Sequence, residues 1–291
     1  MRVQTLSIIA GSEACNARCP FCISKMTPKQ GISSKEPEVN WRNLRKAALF
    51  AKQSNVSTVL ITGKGEPTLF PEQITKYLTA LSEFEFPFIE LQTNGIRFDE
   101  KRGEYKEYLQ QWYNQGLTAV AISISHYEPG RNREIYTPYR KSYIDLPGII
   151  KDLHAVGLSV RLTCTALDGF IDSTSKLKNL IEFARTNEAE QLTVRPVNKP
   201  AQSGDLQVYD WTAEHALKPA QQKEMEDYLV TNGTKLLELP HGAIVYDVNG
   251  QNVCFSNCLT RTDNPENIRQ LIFFPDGHLR YDWEYKGAIL L

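Results

Sequence analysis

Residues 4–22 read Gln4-Thr5-Leu6-Ser7-Ile8-Ile9-Ala10-Gly11-Ser12-Glu13-Ala14-Cys15-Asn16-Ala17-Arg18-Cys19-Pro20-Phe21-Cys22, an apolar strand that runs into three cysteines. Three thiolates from one short loop suit three irons of a [4Fe–4S] cluster, for which cysteine thiolate is the usual ligand. The fourth iron then has no ligand from the loop and stays open to a small molecule. A zinc knuckle is the main competing reading. It would pair Cys-x-x-Cys with a second Cys or His pair, and the nearest candidate is the distant Cys254 and Cys258. Three unrelated thiols are the third reading, disfavoured because the whole chain holds only 6 cysteines.

Outward from this stretch, strand-like runs recur at Gln4–Ala10, Ser57–Thr62, Phe88–Gln92, Ala119–Ser125, Ser159–Thr165 and Gln191–Arg195. Amphipathic stretches separate them, at Trp41–Gln53, Pro71–Glu83, Tyr105–Gln115, Tyr143–Val156 and Ser173–Thr186. Strands alternating with helical patterns imply βαβ units around a parallel sheet. Six such units predict an α/β fold, a partial (β/α)6 TIM-like barrel rather than the full eight. Shorter β-like runs at Lys235–Leu239, Ala243–Val248, Asn252–Phe255 and Ile268–Phe274 predict a small C-terminal β-rich extension. The expected division is a core of residues 1–200 and an extension of residues 201–291 that closes the barrel and shapes the substrate pocket.

Composition narrows the functional class. Over 291 residues, Lys+Arg of 33 against Asp+Glu of 34 leave a net charge of −1, which marks the protein for neither nucleic acid nor an anionic membrane. No apolar run approaches the ~18 residues that span a bilayer. The first residues lack the long apolar segment of a secretory signal. A cytoplasmic, reducing setting is therefore expected, and it suits cysteines used as ligands or buried thiols.

Functional residues of parallel α/β folds gather beyond the carboxyl ends of strands. There stand the cysteine loop, Thr62-Gly63-Lys64-Gly65-Glu66-Pro67-Thr68, Thr93-Asn94-Gly95 and Ser123-Ile124-Ser125-His126. Each alone is readable as a turn or a polar strand face. Arg161 shares a strand face with Thr163 and Thr165. An inward face would make it a buried cation awaiting an anion, and an outward one a snorkelling side chain. Arg195 gets the same reading, and Cys164, on the opposite face, reads as a core thiol. The segment from Tyr127 to Tyr143, with Arg131, Arg133, Tyr136, Tyr139 and Arg140, reads equally as a lid over an anion or as a solvated loop.

Taken together, these elements resemble the radical S-adenosylmethionine (radical SAM) superfamily over residues 4–200. Cys15, Cys19 and Cys22 match its C-x-x-x-C-x-aromatic-C loop, and Lys64-Gly65-Glu66-Pro67 stands where the family has Gly-Gly-Glu-Pro. The resemblance implies a [4Fe–4S] cluster on these three cysteines, with S-adenosylmethionine (SAM) chelating the open iron. Gly65 and Glu66 would contact its methionine end, and the Phe21 backbone its adenine. Ser125 would meet the ribose or carboxylate, with Asn94 and Ser123 nearby. The implied reaction is one-electron cleavage of SAM to a 5′-deoxyadenosyl radical, which takes hydrogen from the substrate. Arg161 and Arg195 are the candidate catalytic residues, facing a small polar or anionic, perhaps nucleotide-like, substrate. A flavodoxin or ferredoxin would supply electrons. Two other readings stay open: a peptide- or protein-modifying enzyme, glycyl-radical activases included, and a non-enzymatic iron–sulfur or zinc redox sensor.

The C-terminal part resembles the GTP 3′,8-cyclases of molybdenum-cofactor biosynthesis, in which a Cys pair, an Asp-Gly turn and a third Cys hold a second cluster. Here the residues are Cys254 and Cys258, spaced by three rather than two, with Asp282 near the third position. They read as partial ligands of a second cluster, as structural thiols or as a redox pair. Ala14 and Leu60 stand where those enzymes place arginines for GTP, so GTP cyclisation is not expected.

Overall fold

Alternation with period two decides what each strand of this protein faces. The computed structural model describes residues 2–28, 32, 35–239, 242–256 and 267–291. The first half runs β1 (Arg2–Ile9), α1 (Ile23–Met26), α2 (Trp41–Gln53), β2 (Thr58–Thr62), α3 (Pro71–Leu81), β3 (Phe88–Thr93), α4 (Ile96–Glu100) and α5 (Arg102–Asn114). Then come β4 (Ala119–Ile124), α6 (Pro129–Tyr136), α7 (Leu146–Ala155), β5 (Ser159–Ala166), α8 (Thr174–Thr186) and β6 (Gln191–Pro196). The remainder is α9 (Leu206–Glu214), α10 (Pro219–Asn232), β7 (Thr234–Glu238), β8 (Ile244–Val248), β9 (Gln251–Phe255), β10 (Asn267–Phe273) and β11 (Leu279–Arg280).

Strands β1 to β6 pair in chain order, all parallel. This is the α/β partial barrel expected from the alternation. The later strands divide between its two edges. Strand β9 pairs parallel with β6 and carries the antiparallel β8 and β7, whereas β10 pairs parallel with β1 and carries β11. Among the described residues the order is β11-β10-β1-β2-β3-β4-β5-β6-β9-β8-β7. The β-rich C-terminal part thus lengthens the sheet at both ends. Among the described residues no helix is long and apolar enough to cross a membrane.

One face of the sheet is aliphatic. Leu6, Ile8, Val59, Ile61, Leu91, Val120, Ile122, Val160, Leu162, Leu192 and Val194 are buried in one core with the helices. Helix α2 shows why such segments fold as they do. The Asn40 side chain caps it by accepting from the amide of Asn43 at 3.0 Å, and Leu44, Ala47, Ala48 and Ala51 form its buried stripe. Each fully buried leucine or isoleucine contributes roughly 1.5–3 kcal/mol, so this face supplies most of the fold's stability. Alternate residues face the other way and are mostly polar: Thr5, Ser7, Glu90, Gln92, Ser123, Arg161, Thr163, Thr165, Thr193 and Arg195.

Four helices were absent from the sequence-based expectations, the short α1 and α4 and also α6 and α9. The segment after Tyr127 contains α6, with Pro129 in its first turn, and residues 206–214 form α9, whose Asp205 side chain caps the amide of Val208 at 3.1 Å.

Candidate active site

At the carboxyl ends of β1 to β6 lies a cavity of about 530 Å³. Cys15, Cys19 and Cys22 share its wall with Lys64, Gly65 and Glu66, and Phe21 and Asn94 also line it. Its floor is the last inward residue of successive strands: Thr62 of β2, Gln92 of β3, Ser123 of β4, Thr165 of β5 and Arg195 of β6. The structure therefore brings together the three cysteines, Phe21, Gly65, Glu66, Asn94, Ser123 and Arg195. Ser125 lies elsewhere. Strand β4 ends at Ile124, so Ser125 leaves the alternation, and its amide donates to Asn132 Oδ1 at 2.8 Å. Its fully buried hydroxyl points to that of Tyr136 at 3.4 Å.

The cysteine loop is locked against the loop after β2. The Glu66 amide donates to the Ala14 carbonyl at 2.9 Å. At Gly65 a Cβ would run into the carbonyl oxygens of Ala14 and Ser12, so only glycine fits there. The buried Glu66 carboxylate accepts from the amide and hydroxyl of Thr68 at 3.1 and 2.6 Å, from the Thr93 hydroxyl, and from the Asn94 amide at 2.9 Å. Burial pushes its pKa up, and these donors pull it back. The Asn94 side chain donates to Asn16 Oδ1 at 2.8 Å and lies 3.9 Å from Cys15 Sγ. Glu66 and Asn94 thus tie the ends of β2 and β3 to the loop that carries the thiols.

An aromatic shelf supports the loop from the other side. Phe21 meets Tyr136 edge-on at 6.4 Å and Trp211 at 6.2 Å between ring centres. The Arg18 amide donates to the Tyr136 carbonyl at 2.9 Å, and the Tyr139 hydroxyl donates to that of Asn16. The arginines of this segment bond within the protein: Arg131 to Glu134 and the Gly169 carbonyl, Arg133 to the Arg140 carbonyl, and Arg140 to Glu100. The segment around α6 is a buttress for the cysteine loop. Trp211 gave no sequence signal beyond being aromatic, and Tyr136 was noted only as part of that segment.

Burial pushes the Cys15 thiol up to about 11, with Glu66 and Cys22 adding to the effect while the Ala17 amide and Asn94 oppose it. Cys19 is pushed up further, first by burial and then by Cys22 and Cys15. Thiols that raise one another's pKa need a shared cation to exist as thiolates. Among the described residues no three His, Cys, Asp or Glu side chains meet as the ligands of one metal ion. The thiols line a common hollow instead, and a four-iron cluster takes each thiolate on a different iron. Two buried donors beside the loop, Asn16 Nδ2 and the Tyr143 hydroxyl, have no partner among the described residues. This donor set fits an iron–sulfur cluster.

Arg161 lies on the inner face, but its anion is in the protein. Its guanidinium bonds Glu90 of β3, reaching past Ala119 and Ala121 of the intervening β4, and Gln92 Nε2 donates to the same carboxylate at 3.0 Å. Arg161 sits below the cavity, whereas Arg195 lines it. Cys164 is fully buried in the outer core. Cys254 is buried in β9 beside Thr193 of β6, and Cys258 lies outside the described residues. Asp282 follows β11 and accepts from the amides of Glu284 and Tyr285 at 2.6 and 3.1 Å.

The profile of the Radical SAM superfamily matches residues 9–184. The GTP 3′,8-cyclase of Aeromonas hydrophila subsp. hydrophila is 26% identical over 163 residues, which are 55% of this chain and 45% of that enzyme. The match therefore spans less than half of that relative. Streptococcus suis SuiB superposes with a TM-score of 0.60 at 16% identity, over 96% of this chain and 60% of that one. Native anSMEcpe, solved with bound AdoMet, gives a TM-score of 0.60 at 12% identity over 99% of this chain and 77% of that one. These two likenesses concern the fold. The family match covers more than half of the chain, including the cysteine loop and the strand ends around the cavity: this protein is an enzyme of the radical SAM superfamily.

Proposed function

We propose that Cys15, Cys19 and Cys22 hold a [4Fe–4S] cluster and that the cavity binds SAM beside a small polar or anionic substrate. The observation that carries this reading is the convergence of three thiols on a cavity floored by the polar ends of five strands. Held by these cysteines, the cluster would supply the one electron that splits SAM into methionine and a 5′-deoxyadenosyl radical, the species that would take a hydrogen atom from the substrate. Residues of the chain do the remaining work, positioning the reactants and excluding water. Gly65 lets the backbone after β2 approach the cysteine loop, and Glu66 and Asn94 fix that approach. Phe21, backed by Trp211, offers an aromatic wall to an adenine.

Gln92, Ser123, Thr165 and Arg195 present an amide, two hydroxyls and a guanidinium to the substrate. That set suits an anion carrying hydroxyl groups, including a nucleotide-like one. Arg161 pairs with Glu90, and Glu90 orients the Gln92 amide. Residues 1–200 act as the catalytic core in this reading, and residues 201–291 support its wall from behind, Trp211 packing on Phe21 and Trp283 on Lys64. The cytoplasm is its setting, with a flavodoxin or ferredoxin as electron donor.

The test is anaerobic reconstitution with iron and sulfide, followed by dithionite and SAM, with chromatographic assay of 5′-deoxyadenosine. Wild type is expected to form it, while Cys19→Ala loses both the cluster and the product. Uptake of zinc with no response to SAM would sink the proposal.

A further inference from the structure

Lys64 is a buried cation that has no carboxylate partner among the described residues. It is 7% exposed, and its Nζ donates to Thr27 Oγ1. The Trp283 ring covers it at 5.7 Å, and the Trp283 indole is itself fixed by donating to Gln270 Oε1 at 2.9 Å. Among the described residues no carboxylate pairs with this ammonium. Burial lowers its pKa to about 8, while nearby Cys22 and then Glu13 oppose the shift. A desolvated charge without a partner is costly and persists where an anion offsets it. Lys64 shares the cavity wall with the three thiols. Its partner Thr27 closes α1, the short helix that begins after Cys22.

We propose that Lys64 is the built-in counter-charge of the iron–sulfur site, favouring the reduced cluster over the oxidised one and so raising its reduction potential. The inference rests on Cys15, Cys19 and Cys22 being cluster ligands. One-electron reduction adds one negative charge to the cluster, and a fixed cation in a poorly hydrated wall stabilises that added charge. The lysine stands where the family motif has glycine, so the charge is a property of this chain. Through Trp283 and Gln270, the segment after β9 holds it in place.

The test compares wild type, Lys64→Met and Lys64→Arg after reconstitution, without SAM, by an EPR-monitored redox titration. Lys64→Met is expected to take up the same iron but to be reduced about tenfold less readily, a potential roughly 59 mV lower. Lys64→Arg, which keeps the charge, is expected to recover most of that difference. In the metal-free proteins, thermal unfolding of Lys64→Met should occur no lower than in wild type, since a buried unpaired charge has been removed. Lys64→Gln repeats the comparison if methionine is not accommodated. Equal potentials in wild type and Lys64→Met at equal iron content overturn the proposal. So does an unchanged potential with weakened SAM binding, which would assign the ammonium to a ligand carboxylate. A wild-type protein that forms no four-iron cluster overturns the underlying reading as well, and the iron assay shows this before any variant is compared.

Discussion

The two faces of the central sheet obey different rules, although they alternate residue by residue along the same strands. On β5, Val160, Leu162 and Cys164 are buried against helices, whereas Arg161, Thr163 and Thr165 face the hollow. Parallel sheets usually read as continuous apolar runs because helices cover both faces. Here helices cover one face, and the other is left polar beneath a cavity. The fold and its chemistry are thus one residue out of phase, and a slip of one position in register would exchange them.

That contrast can be broken by experiment. Leu162→Ala on the covered face should cost about 2–5 kcal/mol in urea unfolding. Thr165→Val on the hollow face should change stability by no more than about 0.5 kcal/mol. Comparable losses from both would end the distinction. A smaller effect probes the one ion pair on the inner face described above. Glu90→Gln strands the Arg161 guanidinium, 20% exposed, and should cost about 1–2 kcal/mol. Adding Arg161→Met should restore more than half of that loss. Strict additivity of the two changes would show that the pair is not coupled.

The smallest expected effect sharpens the contrast at the end of β4. His126 is 4% exposed, packed against the tilted ring of Tyr127, and its Nδ1 accepts the Glu128 amide at 3.0 Å. Burial lowers its pKa first. Arg131 and Lys176 add to this, while Glu128 and Asp172 oppose it. The folded state therefore keeps the ring neutral while the unfolded chain binds a proton at its usual value near 6.5. Stability from this source is complete above that value and is lost as pH falls through it toward the lower folded value. Urea midpoints at pH 7 and pH 5 should fall further in wild type than in His126→Gln. An identical drop in both proteins would show that His126 is not the source.

Much of this site was legible because its residues carry local signals. Three cysteines in one loop, glycines beside Glu66, and alternation around Arg161 all read from neighbouring positions. What stayed hidden depends on contacts between distant parts of the chain. Glu90 meets Arg161 across β4 because Ala119 and Ala121 leave room, and alanine in a strand announces nothing of the kind. Ser123 and Ser125 look equivalent until the strand ends between them. Helix α6 is weakly amphipathic, so its basic and aromatic residues resembled a loop. Lys64 was visible only as a departure from a motif. Its meaning came from Thr27 and Trp283, which folding brings to it.

Strand β1, which leads into the cysteine loop, lies between β2 and β10. During synthesis β2 leaves the ribosome soon after β1, whereas residues 267–273 arrive only after five further parallel strands and the β7–β9 hairpins. Until then one edge of β1 has unpaired amides and carbonyls, and Lys64 lacks its Trp283 cover. The strand that carries the cysteine loop therefore gains its second neighbour only from the far end of the chain, so the two ends of the sequence are closed into one sheet at the cavity's edge.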